Sequence, residues 1–475
     1  MPSAPTDGLS YEATEAKYWD EAGLEREIER AFDICNGCRL CFNQCPSFPA
    51  MFESMDKVDA NAAAVPRPER EEVVDLCYNC KMCEVRCPYT TRDKHEFQLD
   101  FARLMVRAKA VRAKREGVKL RDRMLGNPDL LGKLGSLTPG IANASCRNRL
   151  QRAMMEKLLG IHRDKKLPDF AAETFEKWSS RHVAAPLSNE PAAKVVLFAT
   201  CFINYYNPGP GKAAVDVLER NACKVACPKQ NCCGMPALDG GDVPFAQKQA
   251  RANIDALLPY VRDGYKIAAI NPTCSMTMKH EYRDILEGDD VREFSSAVVD
   301  VHELLWSLKT AGTFVREFRS SPGTIAYHIP CHLKSQQIGF RSRDLMRLIP
   351  GTEITTVDAC TAHDGTWAMK REYFELSMKW GAKAFDGMRA AGANVMATDC
   401  PLSAIQIEQA TGVRPIHPIE VLSRAYTSHG WPTSVIPSEG AQGTVIPSEG
   451  AQGTVIPSEG AQGTVIPSGG AQGAP

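Results

Sequence analysis

Eight of the chain's 18 cysteines fall into two runs with one spacing, and this constrains the fold more than any other feature. The first run is Cys35-Asn-Gly-Cys38-Arg-Leu-Cys41-Phe-Asn-Gln-Cys45-Pro46. The second is Cys77-Tyr-Asn-Cys80-Lys-Met-Cys83-Glu-Val-Arg-Cys87-Pro88. Three thiolates at steps of three residues surround one face of a cubane 4Fe–4S cluster, and the fourth, before proline, reaches the neighbouring cluster. The spacing predicts two 4Fe–4S clusters with crossed ligands: Cys35, Cys38, Cys41 and Cys87 for one, and Cys77, Cys80, Cys83 and Cys45 for the other. Zinc is the alternative for paired C-x-x-C motifs, but a zinc site takes four ligands and has no use for a third cysteine at this step plus a crossing fourth.

The other numbers narrow the setting. A net charge of −1 gives no basic surplus to attract nucleic acid. The amino terminus is acidic, without a leader of charged then apolar residues, and no apolar run approaches the ~20 residues of a membrane span. A cytoplasmic chain is expected, where cysteines serve metals or redox chemistry rather than disulfides.

Along the chain, residues 12–32 read as one amphipathic helix entering the first cysteine run. Between the runs, Glu69–Leu76 reads as a helix leading into the second. From Lys194 to Tyr426 short apolar runs alternate with helical stretches, the pattern of parallel strand–helix units. The pattern occurs twice. Lys194–Cys201, Lys224–Cys227 and Lys266–Cys274 are the strand candidates of the first copy, and Thr324–Cys331, Glu353–Cys360 and Asn394–Cys400 those of the second. Each ends on a cysteine, and helices are expected from near Ser275 and Pro401, where helix dipoles would lower thiol pKa. The last 41 residues repeat Val-Ile-Pro-Ser-Glu-Gly-Ala-Gln-Gly-Thr; this reads as a disordered tail, with a short-period solenoid as the alternative.

The second half carries Cys201, then Cys232-Cys233-Gly234-Met235-Pro236, then Asn271-Pro272-Thr273-Cys274. Its repeat carries His328-Ile-Pro330-Cys331-His332, then Cys360, then Asp399-Cys400-Pro401. The paired-cysteine element resembles the cysteine-rich domain of heterodisulfide reductases. The order of two ferredoxin motifs and two such domains resembles the iron–sulfur oxidoreductase family of the anaerobic glycerol-3-phosphate dehydrogenase C subunit, over roughly residues 30–425. The long spacer between the cysteine runs is similar to that of helical ferredoxin domains in respiratory dehydrogenases. The resemblance implies an electron-transfer subunit and further iron–sulfur clusters in the cysteine-rich domains, where the family supplies five cysteines per site. Here the first site has Cys201, Cys232, Cys233 and Cys274, with Thr277 at the fifth position. The second has Cys331, Cys360 and Cys400, with Thr361 and Ser403 at two positions. Three dispositions stay open for it: a cluster with one open iron, recruitment of His363 as a ligand, or loss of metal. Cys227 could replace the thiolate missing at Thr277 or be core; Cys146 reads as a buried or half-buried thiol and Cys223 as core.

The expected fold is a multidomain α+β and α/β chain, a helical two-cluster ferredoxin domain followed by a tandem pair of α/β cysteine-rich domains. The expected segments are a helical lead (1–29), the ferredoxin domain (30–92), a basic helical connector (93–190), cysteine-rich domains at 191–290 and 320–426, and the tail (435–475). Residues 103–124 hold nine basic side chains; they read either as a solvated helix face or as a docking surface for a partner or for the inner face of the cytoplasmic membrane. No G-x-G-x-x-G follows a strand, so a flavoprotein dehydrogenase partner is expected to perform the hydride chemistry. The leading function is electron relay from that partner to an acceptor. The alternative is a self-contained thiol–disulfide or persulfide reductase whose active site comprises Cys331, Cys360 and Cys400.

Overall fold

Val195, Val196, Leu197 and Phe198 are all fully buried, as a strand covered on both faces must be. They form the centre of β1 (Ala193–Phe198), which pairs in parallel with β2 (Cys223–Ala226) and β3 (Lys266–Ala269). A fourth strand, β4 (Val298–Asp300), joins β3, so the first sheet has the order β2-β1-β3-β4. The second sheet is also parallel, with β5 (Thr324–His328) between β6 (Glu353–Val357) and β7 (Val395–Thr398). The computed structural model describes residues 4–431 except 185, 188 and 364. The repeat tail lies outside the described residues.

Two sequence expectations are corrected here. The strands stop one to five residues short of their cysteines, because the chain must leave the sheet before a thiol can turn into the space above its edge. The first sheet also runs past residue 290, where its domain was expected to end: three residues of β4 after a nine-residue helix carry too little pattern to be read as a strand. One apolar core joins the two sheets, from Leu197 and Ile270 of the first to Tyr327 and Ile329 of the second. Helix Pro418–Ala425, from the end of the second unit, packs on helix Gly209–Arg220 of the first.

The amino-terminal portion is helical. Asp20 caps α1 (Glu21–Cys38) by accepting from the Ala22 and Gly23 amides. The helix expected over 12–32 therefore begins at Glu21 and runs through Cys35; residues 16–19 form only a 3₁₀ turn. Next come α2 (Ser47–Lys57), α3 (Arg67–Leu76) and α4 (Met82–Arg86), packed around Phe32, Phe48, Met51 and Phe52. Trp367 of the second α/β unit inserts into the same core and donates to the Asp75 carbonyl at 2.9 Å.

The basic stretch is divided between the core and solvent. Its helix, α5 (Phe101–Glu116), is buried along most of its length, and the cations of that part are consumed internally: Arg103 by Asp284, Lys109 by Asp239 and the Cys77 carbonyl, and Arg112 by Asp75. Lys114, Arg115, Lys119 and Arg123 remain exposed. Arg107 has no exposed surface and donates to the backbone carbonyls of Gly8, Tyr18 and Lys17 at 2.6–2.8 Å. After it, four short helices, α6 (Leu120–Leu125), α7 (Pro128–Leu137), α8 (Pro139–Arg147) and α9 (Arg149–Leu159), form a cap. The cap's outer face exposes Leu120, Leu134, Leu137, Ile141, Leu150 and Leu158, with Leu137 at 77% and Leu150 at 81%.

Candidate metal centres

The eight ferredoxin-type cysteines line two separate cavities. Cys35, Cys38, Cys41 and Cys87 line one, walled by Phe48, Phe52 and Leu99. Cys45, Cys77, Cys80 and Cys83 line the other, against Tyr78 and Phe101. Cys45 and Cys87 thus each lie across from their own run. Local backbone makes this division: Arg39 and Lys81, each following the second cysteine of its run, take left-handed conformations (φ 51° and 59°) and turn the chain back. Cys38 is exposed, with Leu40 and Phe42 beside it, whereas all four thiols of the second cavity are buried.

The donor chemistry fits iron–sulfur clusters. Burial pushes the Cys35 thiol well up, and Cys87, Cys41 and Cys38 push it further; Cys41 is raised to about 11 by burial and by Cys87 and Cys38. Four thiolates crowded into one cavity repel one another and need a positive body between them. A zinc ion would draw them to about 2.3 Å from one point, and among the described residues no three such side chains converge in that way. Cluster ligands instead bind different irons and stand apart around the cavity.

In both α/β units the cysteines follow the carboxyl ends of strands, beside the central strand where the connections diverge. Thr200, a β-branched residue at φ 74°, turns the chain from β1 into Cys201. Gly234, at φ 91°, follows the Cys232–Cys233 pair; a Cβ there would meet the Ala246 carbonyl oxygen at 3.2 Å. Asp129 of α7 accepts from the Cys232 amide at 2.7 Å, and Asn253 donates to the Cys232 carbonyl at 3.1 Å. The helix-terminus expectation fails at Cys274. Cys233 is held well below the usual thiol range by hydrogen bonds from Cys232 and Cys274, with a smaller contribution from the Met235 amide. Those two are raised, through these bonds and burial. Thr277 donates to the Thr273 carbonyl at 2.7 Å. Cys227 lines a separate cleft beside Cys201, not the cavity of Cys232, Cys233 and Cys274, and Cys223 is core.

Around the second site, Thr361 and Ser403, which stand at two cysteine positions, hydrogen-bond to each other at 3.0 Å. Cys400 caps helix Pro401–Thr411, its sulfur 3.5 Å from the Ser403 amide. His328 lies 3.0 Å from both the Ala359 carbonyl and the Thr398 hydroxyl. His332 lies 2.9 Å from both the Asn79 carbonyl and the Thr273 hydroxyl. Because a carbonyl only accepts, Nε2 carries the proton in both rings, and the threonine hydroxyl donates to Nδ1. His363 differs: it is buried, and neither ring nitrogen has a partner among the described residues. Burial and the charge of Lys165 hold it well below the usual imidazole range, so the ring is neutral.

Both sites open onto one cavity of about 360 Å³. Cys201, Cys232, Cys233 and Cys274 line it from one side, Cys331, Cys360, Cys400 and His363 from another, and Met124, Leu131, Met155 and Leu159 of the cap close it. Cys146, expected to be a buried or half-buried thiol, is half-buried and faces this cavity. The ferredoxin portion reaches it through the Cys77–Cys80 loop. The Tyr78 hydroxyl lies 3.3 Å from Cys360 Sγ, Asn79 holds His332, and buried Lys81 pairs with buried Glu281. Tyr78, Asp129 and the cap residues carry no local sequence signal of this role.

Comparison with known proteins agrees with this layout. Residues 31–91 match the 4Fe-4S dicluster domain family, and residues 195–279 and 325–408 each match the cysteine-rich domain family. The anaerobic glycerol-3-phosphate dehydrogenase C subunit of Escherichia coli (strain K12) is 30% identical over 309 residues, 64% of this chain and 77% of that protein. Lactate utilization protein A 2 of Bacillus mycoides (strain KBAB4) is 28% identical over 226 residues, 44% of this chain and 87% of that protein. Lactate utilization protein A of Bacillus cereus (strain B4264) is 27% identical over the same length.

Proposed function

This chain belongs to the iron–sulfur protein family that includes the anaerobic glycerol-3-phosphate dehydrogenase C subunit, and from that premise we propose that it is the electron-relay subunit of a dehydrogenase complex, placed between a flavoprotein and an acceptor. Cys35, Cys38, Cys41 and Cys87 hold one 4Fe–4S cluster, and Cys77, Cys80, Cys83 and Cys45 the other. Cys201, Cys232, Cys233 and Cys274 hold a third iron–sulfur centre, and Cys331, Cys360 and Cys400 form the site that meets the acceptor. One-electron storage and transfer is the chemistry such clusters supply when bound.

The chain's own residues supply the order. Cys38 with Leu40 and Phe42 offers an exposed port for the donor, and the Cys45 and Cys77 set is sealed inside by Phe48 and Phe101. The observation that carries the reading is the 3.3 Å contact between Tyr78, inside the second ferredoxin motif, and Cys360 of the second cysteine-rich unit. It supports a continuous path from the exposed port to the central cavity.

Anaerobic purification from the native host, with iron counted and copurifying chains identified, tests the proposal. A stoichiometric flavoprotein is expected. Cys400→Ala should abolish turnover while the ferredoxin portion still reduces normally, and Cys233→Ala should slow electron delivery. Native-rate transfer by Cys400→Ala would refute the assignment of the acceptor site. The about 360 Å³ cavity also favours a second reading, a self-contained thiol or persulfide reductase; a lone chain reducing disulfides with an artificial donor would establish it.

No helix among the described residues is long and apolar enough to cross a membrane. The proposed peripheral contact lies on the cap, where the exposed leucines alternate with exposed Lys119, Arg123, Arg149 and Lys157. Apolar insertion plus attraction to anionic lipid is the pairing that interfacial helices use. Flotation with anionic vesicles should fall sharply in Leu134→Glu/Leu150→Glu; unchanged flotation would reject the surface.

A further inference from the structure

The second cysteine-rich unit offers three cysteines where its family supplies five, and each other polar side chain near them has a definite fate. Thr361 and Ser403 satisfy each other. His328 and His332 each spend one ring nitrogen on a backbone carbonyl and the other on a threonine hydroxyl. His363 is the exception: it is buried, it faces the cavity that Cys331, Cys360 and Cys400 line, and both its nitrogens are without partners among the described residues. A buried polar group left in that state is destabilising, and a missing partner would recover the loss.

A second buried group points to the same place. Lys165 is almost wholly buried, its ammonium donates to the neutral side-chain carbonyl of Gln406, and among the described residues no carboxylate pairs with it. Its charge acts on His363. A buried cation without a carboxylate calls for another anion nearby, and thiolate-ligated iron–sulfur centres are anionic.

We infer that His363 is the fourth protein ligand of an iron–sulfur centre held by Cys331, Cys360 and Cys400, with Lys165 as its counter-charge. The inference rests on the proposal above that this unit holds iron. Coordination uses the lone pair of the neutral imidazole, and no proton or electron changes hands. A nitrogen ligand in place of a thiolate removes one negative charge, and it raises the reduction potential, as replacement of cysteines by histidines does in Rieske centres.

The test uses the full chain, purified anaerobically from cells fed ¹⁵N-histidine and reduced with dithionite, with pulsed electron paramagnetic resonance as the readout. A directly bonded nitrogen coupling is expected that changes with the isotope. It should disappear in His363→Ala and in His363→Cys, while His363→Cys retains native iron content with a lowered midpoint potential and both variants retain the ferredoxin signals. Absence of the coupling in the native chain, or its persistence in His363→Cys, overturns the assignment. Iron content separates this from failure of the underlying proposal. If Cys331→Ser/Cys360→Ser/Cys400→Ser keeps all native iron, the unit holds none and both readings fall. If that variant loses iron but the native chain shows no nitrogen coupling, only the role of His363 falls.

Discussion

His302 joins the two α/β units, and its protonation should set how their stability responds to alkaline pH. The ring has no exposed surface, and Nδ1 lies 3.5 Å from Asp300 Oδ1 at the end of β4 and 3.2 Å from Asp399 Oδ1 just beyond β7. Burial opposes the charged ring, but the nearby Asp300 and Asp399 carboxylates outweigh it and raise the group from 6.5 to about 9. Asp399 also accepts from the Tyr327 and Ser342 hydroxyls, and stacked His417 is neutral, lowered to about 4 by burial and by the neighbouring imidazolium. A folded-state value above the unfolded one means that the stabilisation is complete below about 6.5 and is lost as pH rises through about 9. The rise corresponds to about 3 kcal/mol, of which about 2.5 kcal/mol is lost between pH 7 and 10, and for a body of about 430 residues each kcal/mol moves the melting temperature by about 1 °C. Between pH 7 and 10 the native chain should therefore lose about 2–3 °C more than His302→Gln does. Anaerobic calorimetry gives the midpoints, and hydrogen exchange in β4 and β7 localises the loss. A gap between native and variant that stays constant from pH 7 to 10 would refute the buried imidazolium.

Other expectations address the ferredoxin portion and its attachments. Cys87→Ser should remove about four of the ferredoxin portion's about eight irons, and the cluster lost should be that of Cys35, Cys38 and Cys41; loss of the other would show that the ligands do not cross. Arg107→Met strips three short charged hydrogen bonds from the carbonyls of residues 8–18, a local loss of about 3–5 kcal/mol, and should speed amide exchange there with iron content unchanged; native protection would show that the guanidinium holds nothing. Tyr78→Phe deletes the hydroxyl beside Cys360 and should lower the midpoint potential of the second cysteine-rich site without loss of iron, since hydrogen bonds to sulfur tune such centres; an unchanged potential would remove Tyr78 from the path.

What the sequence reveals and what it hides divide along the distance over which partners act. Cluster ligands at steps of three residues are written in consecutive positions, as is the ending of parallel strands near cysteines. The nine basic residues of 103–124 are equally visible, yet the surface reading fails for the first half of them because Asp75 lies 37 positions from Arg112, Asp239 lies 130 from Lys109, and Asp284 lies 181 from Arg103. A charge count along the chain cannot register a carboxylate that arrives through folding. The cap fails in the opposite sense. Its helices are too short and its apolar residues too spread for a local stripe, and only their placement over the cavity separates Met124, Leu131 and Leu159, which face inward, from Leu134, Leu150 and Leu158, which face out. The histidines make the same point within one site. His328, His332 and His363 all lie near the cysteines of the second site in sequence, and His363 is the one read there as a candidate ligand. What the sequence cannot show is why: only in the fold do Ala359, Thr398, Asn79 and Thr273 take the nitrogens of the other two and leave the His363 ring without partners among the described residues.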